Sequence, residues 1–207
     1  MISTPQTGGR RGPRMRWPPP ISARVRWAWL QGLPLRRRRL RHILRMLDGK
    51  TPHSGTLVDV GGGAGVATDE AVRSAPPGAY ARCAVVDPQR GMLARGSRTN
   101  DPPFAAARVR GTGARLPFAD ASADVLLSLG VLCCMEESDV ARAVSELWRV
   151  ARPGGHCVLG IPRGWAEFCD PLFRTAGFEV VARLRPGRVL YRRPASTERP
   201  GSSGTDR

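Results

Sequence analysis

Long apolar runs are missing from this chain of 207 residues. A membrane-spanning helix needs about 20 predominantly apolar residues. The longest candidate, residues 125–135, is much shorter and has the pattern of a sheet strand. No hydrophobic core of a secretory signal follows Met1. The sequence therefore predicts a protein without a transmembrane segment, and we expect it in the cytoplasm.

Cysteine patterns that bind metals are also missing. The five cysteines are odd in number and form neither a Cys-x-x-Cys pair nor a metal-binding pattern with histidine. We therefore predict no metal site, and free thiols of the kind found in a reducing cytoplasm. The five are Cys83, Cys133, Cys134, Cys157 and Cys169.

Lysine is nearly absent from the whole chain, and acidic residues are scarce at its amino-terminal end. Lys50 is the only lysine, and residues 1–50 hold 13 of the 33 basic residues but one of the 17 acids. Most of the net charge of +16 therefore lies in this quarter of the chain. Residues 1–23 are rich in Gly, Pro, Arg and Ser or Thr, and three prolines at 18–20 exclude a helix there. We predict a basic disordered arm over 1–34 and a disordered tail over 194–207.

Residues 35–54 are predicted to form an amphipathic helix and a linker. Leu40, Ile43, Leu44 and Leu47 fall on one face at helical spacing, with arginines mostly elsewhere. The interpretation that we favour is a solvated arm followed by a helix that covers the domain. Two alternatives stay open: the arginines contact RNA or an anionic membrane, or the arm is an organelle transit peptide.

The stretch 57–65 reads Leu-Val-Asp-Val-Gly-Gly-Gly-Ala-Gly. Its apolar start predicts a buried parallel strand, and its glycines predict a tight turn where the backbone approaches a ligand. Residues 66–73 have a helical pattern. Candidate binding residues are Asp59, Gly61, Gly63 and Gly65. A dinucleotide fingerprint requires Gly or Ala in place of Val66, so a nicotinamide dinucleotide is disfavoured.

A second acidic residue is in register with this loop. Residues 81–86 are predicted to form the second strand, and Asp87 follows it, 22 positions after Gly65. A carboxylate at this place can accept hydrogen bonds from both ribose hydroxyls of a nucleoside. The alternative role of Asp87 is to form a turn before Pro88.

The remaining chain alternates strands and helices. We predict strands at 104–109, 125–128 and 156–161, and a helix capped by Ser138 that the Pro-Gly-Gly sequence at 153–155 ends. A helix over 164–176 should end at Gly177. Strands at 178–183 and 188–192 are joined through a tight turn and should pair antiparallel.

Three segments resemble a known family. Asp59-x-Gly61-x-Gly63-x-Gly65 resembles the first motif of class I methyltransferases that depend on S-adenosyl-L-methionine (SAM). Residues 111–124, with Leu-Pro-Phe at 116–118 and acids at 120 and 124, resemble the ubiquinone and menaquinone C-methyltransferase type. So does Glu-Leu-Trp-Arg-Val at 146–150, followed by Pro-Gly-Gly. The resemblance covers residues 55–193.

The resemblance implies a Rossmann-like α/β domain over 55–193, with a seven-stranded, mainly parallel sheet and an antiparallel C-terminal hairpin. It implies that SAM is the cofactor, with the glycine loop along its methionine part, Asp87 at the ribose and Met92 beside the adenine. The family usually has an acidic residue at Thr112 and an aromatic residue at Ala123. The implied cofactor-binding residues are Asp59, Gly61, Gly63, Gly65, Asp87, Met92, Thr112, Gly113 and Leu129.

The predicted activity is methyl transfer to a carbon, oxygen or nitrogen atom of a small molecule. The alternatives are an RNA or protein methyltransferase guided by the basic arm, a non-catalytic SAM-binding protein and, least favoured, a nicotinamide-dependent oxidoreductase. The sequence identifies no catalytic residue, although Glu136 lies after the fourth strand where a base would be needed. His156 is at the opposite end of its strand. We interpret Cys133 and Cys134 as structural thiols. The sequence gives no prediction of the oligomeric state.

Overall fold

The computed structural model describes residues 34–99, 106–185 and 187–195. The predicted arm, apart from Pro34, and the predicted tail, apart from residues 194–195, lie outside these ranges. Among the described helices, none combines the length and the apolar character that crossing a membrane requires.

One sheet organises the described residues, and it contains seven strands in the order β3-β2-β1-β4-β5-β7-β6. Neighbours among the first five strands pair parallel, whereas β7 pairs antiparallel with both β5 and β6. This confirms the predicted sheet and its C-terminal hairpin. The strands are β1 Gly55–Val60, β2 Tyr80–Asp87, β3 Ala107–Arg110, β4 Ala123–Leu129, β5 Ala151–Gly160, β6 Glu179–Arg185 and β7 Arg188–Arg192.

Helices cover both faces of the sheet. They are α1 Pro34–Leu44, α2 Val66–Ser74, α3 Arg90–Thr99, α4 Glu137–Val150 and α5 Arg163–Ala176. Side chains of Val58 and Leu126 pack in the cluster that includes α4 and α5, whereas their neighbours Leu57 and Leu127 pack with α1 and α2. The central strands are therefore apolar without alternation, because side chains on both faces are buried.

The amphipathic helix predicted near the amino terminus is present as α1, followed by a 3-10 turn at Arg45–Leu47. Its apolar face is buried, including Leu40, Ile43 and Leu44. Arg41 on the outer side forms an ion pair with Glu70 of α2, with Nε and Oε1 separated by 2.7 Å. The helix thus packs on the sheet beside α2.

Two predicted boundaries were wrong. Ser138 does not cap α4, because the helix begins at Glu137 with Glu136 at its N-cap, and acidic side chains rather than a capping hydroxyl face the helix dipole. The Pro-Gly-Gly sequence lies inside β5 and is not a separate stop. Here the amide of Gly154 donates to the carbonyl oxygen of Arg193, and the amide of Arg193 donates to that of Gly155.

The third strand is shorter than predicted. It begins at Ala107, and residues 104–105 of the predicted strand lie outside the described ranges.

Candidate functional site

The carboxyl ends of β1, β2 and β4 surround a cavity of about 440 Å³. Adjacent parallel strands with crossovers on opposite faces leave such a crevice at this edge of the sheet. Eight of the nine residues proposed from the sequence line it, and Gly65 does not. The eight are Asp59, Gly61, Gly63, Asp87, Met92, Thr112, Gly113 and Leu129.

The first wall of the cavity is the glycine loop, residues 61–65 between β1 and α2. Gly61 has φ +68°, and a Cβ there would lie 2.5 Å from Cγ2 of Val131, which also lines the cavity. Gly63 has φ +57°, and its Cβ would lie 3.0 Å from Cε of Met92. Amides of Gly61 and Gly62 donate to the carbonyl oxygen of Val86 at 2.7 and 3.2 Å, which fixes the loop to β2.

Gly65 has a different role, because it starts α2 behind the loop. A Cβ at Gly65 would face Val85 and the guanidinium of Arg108, at 3.3 and 3.4 Å. Nη1 of Arg108 donates to the carbonyl oxygen of Ala64 at 3.3 Å. This guanidinium also fills the space that a side chain at Gly96 of α3 would need. Arg108, which the sequence did not indicate, therefore supports the loop from outside the cavity.

Asp59 is a buried carboxyl group at the floor of the cavity. Its Oδ2 accepts a hydrogen bond from Oγ1 of Thr68 at 2.8 Å. Burial raises the pKa of Asp59 to about 7, against the opposing effect of the Thr68 hydrogen bond. Gly62 leaves room for this carboxyl, since a Cβ there would lie 2.5 Å from Oδ2 of Asp59.

Asp87 sits at the end of β2 and accepts two backbone hydrogen bonds. The amide of Gly63 donates to Oδ2 at 3.1 Å, and the amide of Gln89 donates to Oδ1 at 2.8 Å. Burial raises the pKa of Asp87, while these two bonds lower it. Each carboxylate oxygen has about two lone-pair sites, so the group can accept further hydrogen bonds from two hydroxyl groups in the cavity.

The wall at 112–114 is held by α4. The amide of Leu116 donates to Oε2 of Glu146 at 2.7 Å, and Arg149 donates to the carbonyl oxygens of Leu116 and Phe118 at 3.0 and 2.8 Å. Hydrogen bonding from Arg149 lowers the pKa of Glu146. The Leu-Pro-Phe segment and the Glu-Leu-Trp-Arg segment, separate in the sequence, therefore form one unit beside the cavity.

The opposite wall, which we call the β4 wall, consists of residues 129–136. Glu136 is exposed at its rim and lines the cavity, as does Asp139 in the first turn of α4. Cys134 also lines the cavity, whereas Cys133 is buried. His156 does not line it, because it pairs with Val125 near the amino end of β4.

Further lining residues escaped the sequence analysis. Leu40 of α1 reaches the cavity, and its place on the apolar face of the predicted covering helix was the available signal. Val131, Met135 and Asp139 belong to no motif and have no comparable signal. The missed residues also include Gly62, Ala64, Val66, Ala67, Pro88, Gln89, Ala114 and Gly130.

Comparison with known proteins matches this chain to a protein family and to individual relatives. Residues 58–159 match a protein family described as methyltransferase domain. A demethylmenaquinone methyltransferase of Corynebacterium glutamicum is 32% identical over 154 residues, which cover 72% of this chain and 56% of the relative. Its counterpart from Mycolicibacterium paratuberculosis is 35% identical over 134 residues, covering 63% and 50%. The chain thus spans about half the length of these relatives.

Solved structures share the fold. A putative SAM-dependent methyltransferase from Methanococcus maripaludis has a TM-score of 0.67 at 17% identity and covers 86% of this chain and 94% of its own. The N-methyltransferase NodS from Bradyrhizobium japonicum, solved with S-adenosyl-L-homocysteine, has a TM-score of 0.66 at 18% identity, covering 80% and 91%.

The strand order and the cavity beside the glycine loop define a class I SAM-dependent methyltransferase fold. Within that class, residues 58–159 match the family described as methyltransferase domain, and the chain is similar to demethylmenaquinone methyltransferases. The resemblance seen in its motifs is confirmed.

Proposed function

We propose that this protein transfers a methyl group from SAM to a small-molecule acceptor, with quinone-like aromatic compounds as the first class to test. The observation that carries the proposal is the position of Asp87 at the carboxyl end of β2, in the same cavity as the glycine loop. A carboxylate there with spare lone pairs suits a ribose, and a loop without side chains admits the rest of the ligand.

The residues of the cavity fit SAM. Its volume of about 440 Å³ lies within the range of small-molecule sites, roughly 300–1,000 Å³. SAM has a ribose diol, a cationic sulfonium and a cationic ammonium group. Asp87 would accept from the diol, and a cationic group bound nearby would favour the ionised form of Asp59, whose pKa burial raises to about 7. Met92 would flank the adenine, and the hydroxyl oxygen of Thr112 would accept a hydrogen bond from the adenine amino group.

The chemistry places modest demands on the protein. SAM supplies a methyl group that its sulfonium sulfur already activates. The chain must then hold the acceptor in line with that methyl group and keep water out. Acceptors that lose a proton also need a base, and Glu136 at the cavity rim is our candidate for that role.

The character of the β4 wall supports an apolar acceptor. Leu129, Val131 and Met135 line the cavity there, and Leu40 of α1 lines it as well. Such a surface favours aromatic or aliphatic ligands with few polar groups. The names of the demethylmenaquinone methyltransferase relatives agree with a quinone-like acceptor. The comparisons do not favour an RNA or protein acceptor.

Calorimetry followed by turnover tests the proposal. SAM and S-adenosyl-L-homocysteine should bind, whereas NAD should not. Purified protein with labelled SAM should then methylate a reduced naphthoquinone that lacks the ring methyl group. NAD binding without SAM binding would refute the proposal, and SAM binding without turnover on any small acceptor would favour the non-catalytic alternative.

The role of Glu136 has a matched control in its neighbour. Glu136→Gln should lower kcat by about 100-fold or more if the group accepts a proton, with the KM for SAM unchanged. Glu137 is also exposed but does not line the cavity, so Glu137→Gln should keep normal turnover. Equal effects of the two substitutions would remove Glu136 from the chemistry.

We also propose that residues 55–193 form the catalytic domain and that the protein acts in the cytoplasm. The five free cysteines support a reducing compartment.

A further inference from the structure

Two adjacent cysteines lie in the β4 wall, and the proposed methyl transfer uses neither. The Sγ atoms of Cys133 and Cys134 are 4.0 Å apart. Cys134 lines the cavity and its thiol donates to the carbonyl oxygen of Gly130 at 3.2 Å. Cys133, directly behind it, is 5% exposed. The pair therefore has one thiol that faces the cavity and one that supports it.

This geometry suits a bridging atom better than a disulfide. Adjacent residues joined by a trans peptide have Cα atoms about 3.8 Å apart, below the usual disulfide range of about 4.4–6.8 Å. A disulfide would also require the sulfurs to approach to about 2.05 Å. Two sulfurs bonded at about 2.3 Å to one pyramidal atom, with a bond angle of about 95°, lie roughly 3.4 Å apart, which is much nearer to the observed 4.0 Å than a disulfide bond is.

We propose that Cys133 and Cys134 form a dithiol site for trivalent arsenicals, and that the site is entered through the cavity. An arsenical with two hydroxyl groups on arsenic reacts in two steps. The Cys134 thiol forms an arsenic–sulfur bond, an arsenic–oxygen bond breaks, and the thiol proton leaves with the hydroxide as water. Cys133 repeats the exchange on the second hydroxyl. Two water molecules are released, and the oxidation states of arsenic and sulfur do not change.

The environment of the pair assigns the order of the steps. A hydrogen bond from the Cys133 thiol lowers the pKa of Cys134, although burial opposes the shift. The same contact and burial raise the pKa of Cys133. Since the thiolate is the nucleophile, Cys134 reacts first. Burial raises the pKa values of the other thiols, Cys83, Cys157 and Cys169, to about 12, so they compete poorly.

Intact-mass measurement tests the site without any cofactor. The full chain is treated with phenylarsine oxide in excess mercaptoethanol, a monothiol that removes singly bound arsenic. We expect one phenylarsenic group per chain, removed by the dithiol dithiothreitol. Cys133→Ser and Cys134→Ser should each lose the monothiol-resistant adduct, and Cys133→Ala repeats the test if the serine variant unfolds. Cys157→Ser should keep it. No resistant adduct on the intact chain, or its retention in folded variants of both positions, would overturn the proposal.

A second measurement tests entry through the cavity. S-adenosyl-L-homocysteine at saturation, with its binding verified by calorimetry, should slow formation of the adduct by at least tenfold. An unchanged rate with the ligand bound would overturn the placement of the site on the cavity. The labelling alone needs no cofactor, so a failure of the proposed methyl transfer is distinguishable from a failure of the dithiol site.

Discussion

The glycine loop and the β4 wall face each other across one cavity, but different parts of the chain fix their shapes. The loop is held by backbone bonds from Gly61 and Gly62 to Val86 and by its contact with Asp87. The β4 wall contains a short 3-10 turn, Leu132–Cys134, and the cavity surface there comes largely from side chains. Substitutions should therefore abolish ligand binding on the first wall and alter acceptor choice on the second.

The two walls touch at Gly61 and Val131, where we expect the largest effect. Gly61→Ala places a methyl group 2.5 Å from Cγ2 of Val131, on a residue with φ +68°. The left-handed conformation costs roughly 1–2 kcal/mol and overpacking about 1–3 kcal/mol. We expect SAM affinity to fall by about 100-fold or more, measured by calorimetry.

Gly49 gives a matched control for this substitution. Its φ is +69°, but a Cβ there would meet nothing within 4 Å. Gly49→Ala should cost stability through backbone strain alone and leave SAM affinity unchanged. If both variants bind SAM normally, the glycine loop tolerates side chains and the contrast between the walls is lost.

Asp87→Ala should have the next largest effect. It removes the acceptor for the amide of Gly63 and the proposed acceptor for two ribose hydroxyls, at an expected cost of about 1–3 kcal/mol in SAM binding. Isothermal calorimetry on the folded variant measures the loss. Asp87→Asn keeps the size of the side chain but not its charge, so its SAM affinity should lie between those of the wild type and the alanine variant. Unchanged affinity in the alanine variant would remove Asp87 from the site.

The raised pKa of Asp59 predicts that the stability of the folded protein depends on pH. Its folded pKa of about 7 exceeds the ordinary value of 3.8, so between about pH 4 and 7 the folded state retains a proton that the unfolded state releases. The contribution of Asp59 is therefore complete below about pH 4 and is lost as the pH rises through 7, by at most about 1.4 kcal/mol per pH unit.

Asp59→Asn should make the free energy of unfolding depend less on pH between about pH 4 and 7. Urea unfolding at several pH values measures this dependence. The amide oxygen can still accept the bond from Thr68. Asp48→Asn, at an exposed position, controls for the loss of one negative charge. A wild-type slope in the Asp59 variant would assign the pH dependence to other groups.

The smallest effect is expected at Thr112, on the wall that α4 supports. Thr112→Asp should tighten SAM binding by about 1 kcal/mol, because a carboxylate gives a charge-assisted bond to the adenine amino group. Thr112→Asn introduces a similar shape without charge and should improve binding less. Weaker binding of the aspartate variant would mean that Thr112 does not face the adenine.

The glycine-loop wall could be predicted from the sequence because its requirements are those of the backbone. A strand that ends in glycines, and an acid at the end of the next strand, define adjacent positions in a parallel sheet, and Asp59, Gly61 and Asp87 indeed meet there. Gly65 follows the same spacing, but it serves the start of α2 and the contact with Arg108. Spacing alone does not distinguish a glycine that lines the cavity, such as Gly61, from one that only allows the helix to start, such as Gly65.

The β4 wall could not be predicted in the same way. Its surface depends on how the side chains of Val131, Cys134 and Met135 pack, and no local spacing specifies that packing. A motif also does not guarantee a place in the cavity. Asp124, the last residue of the motif at 111–124, lies in β4. It accepts a hydrogen bond from the amide of Thr56 in β1 at 2.7 Å and forms an ion pair with Arg152 in β5, so it joins these strands and does not line the cavity.

Gly96 does not line the cavity, yet the glycine loop and Arg108 leave no room for a side chain there. The guanidinium of Arg108 occupies the volume of any side chain at Gly96, and it reaches Ala64 through that volume. A smaller residue at 108 would not be enough to admit a side chain at 96, because a Cβ there would also lie 2.3 Å from the backbone carbonyl oxygen of Ala64. Variant libraries restricted to the cavity surface would miss this constraint, whereas randomisation of position 96 would reveal it, since we expect only glycine to be recovered there even when position 108 is randomised as well.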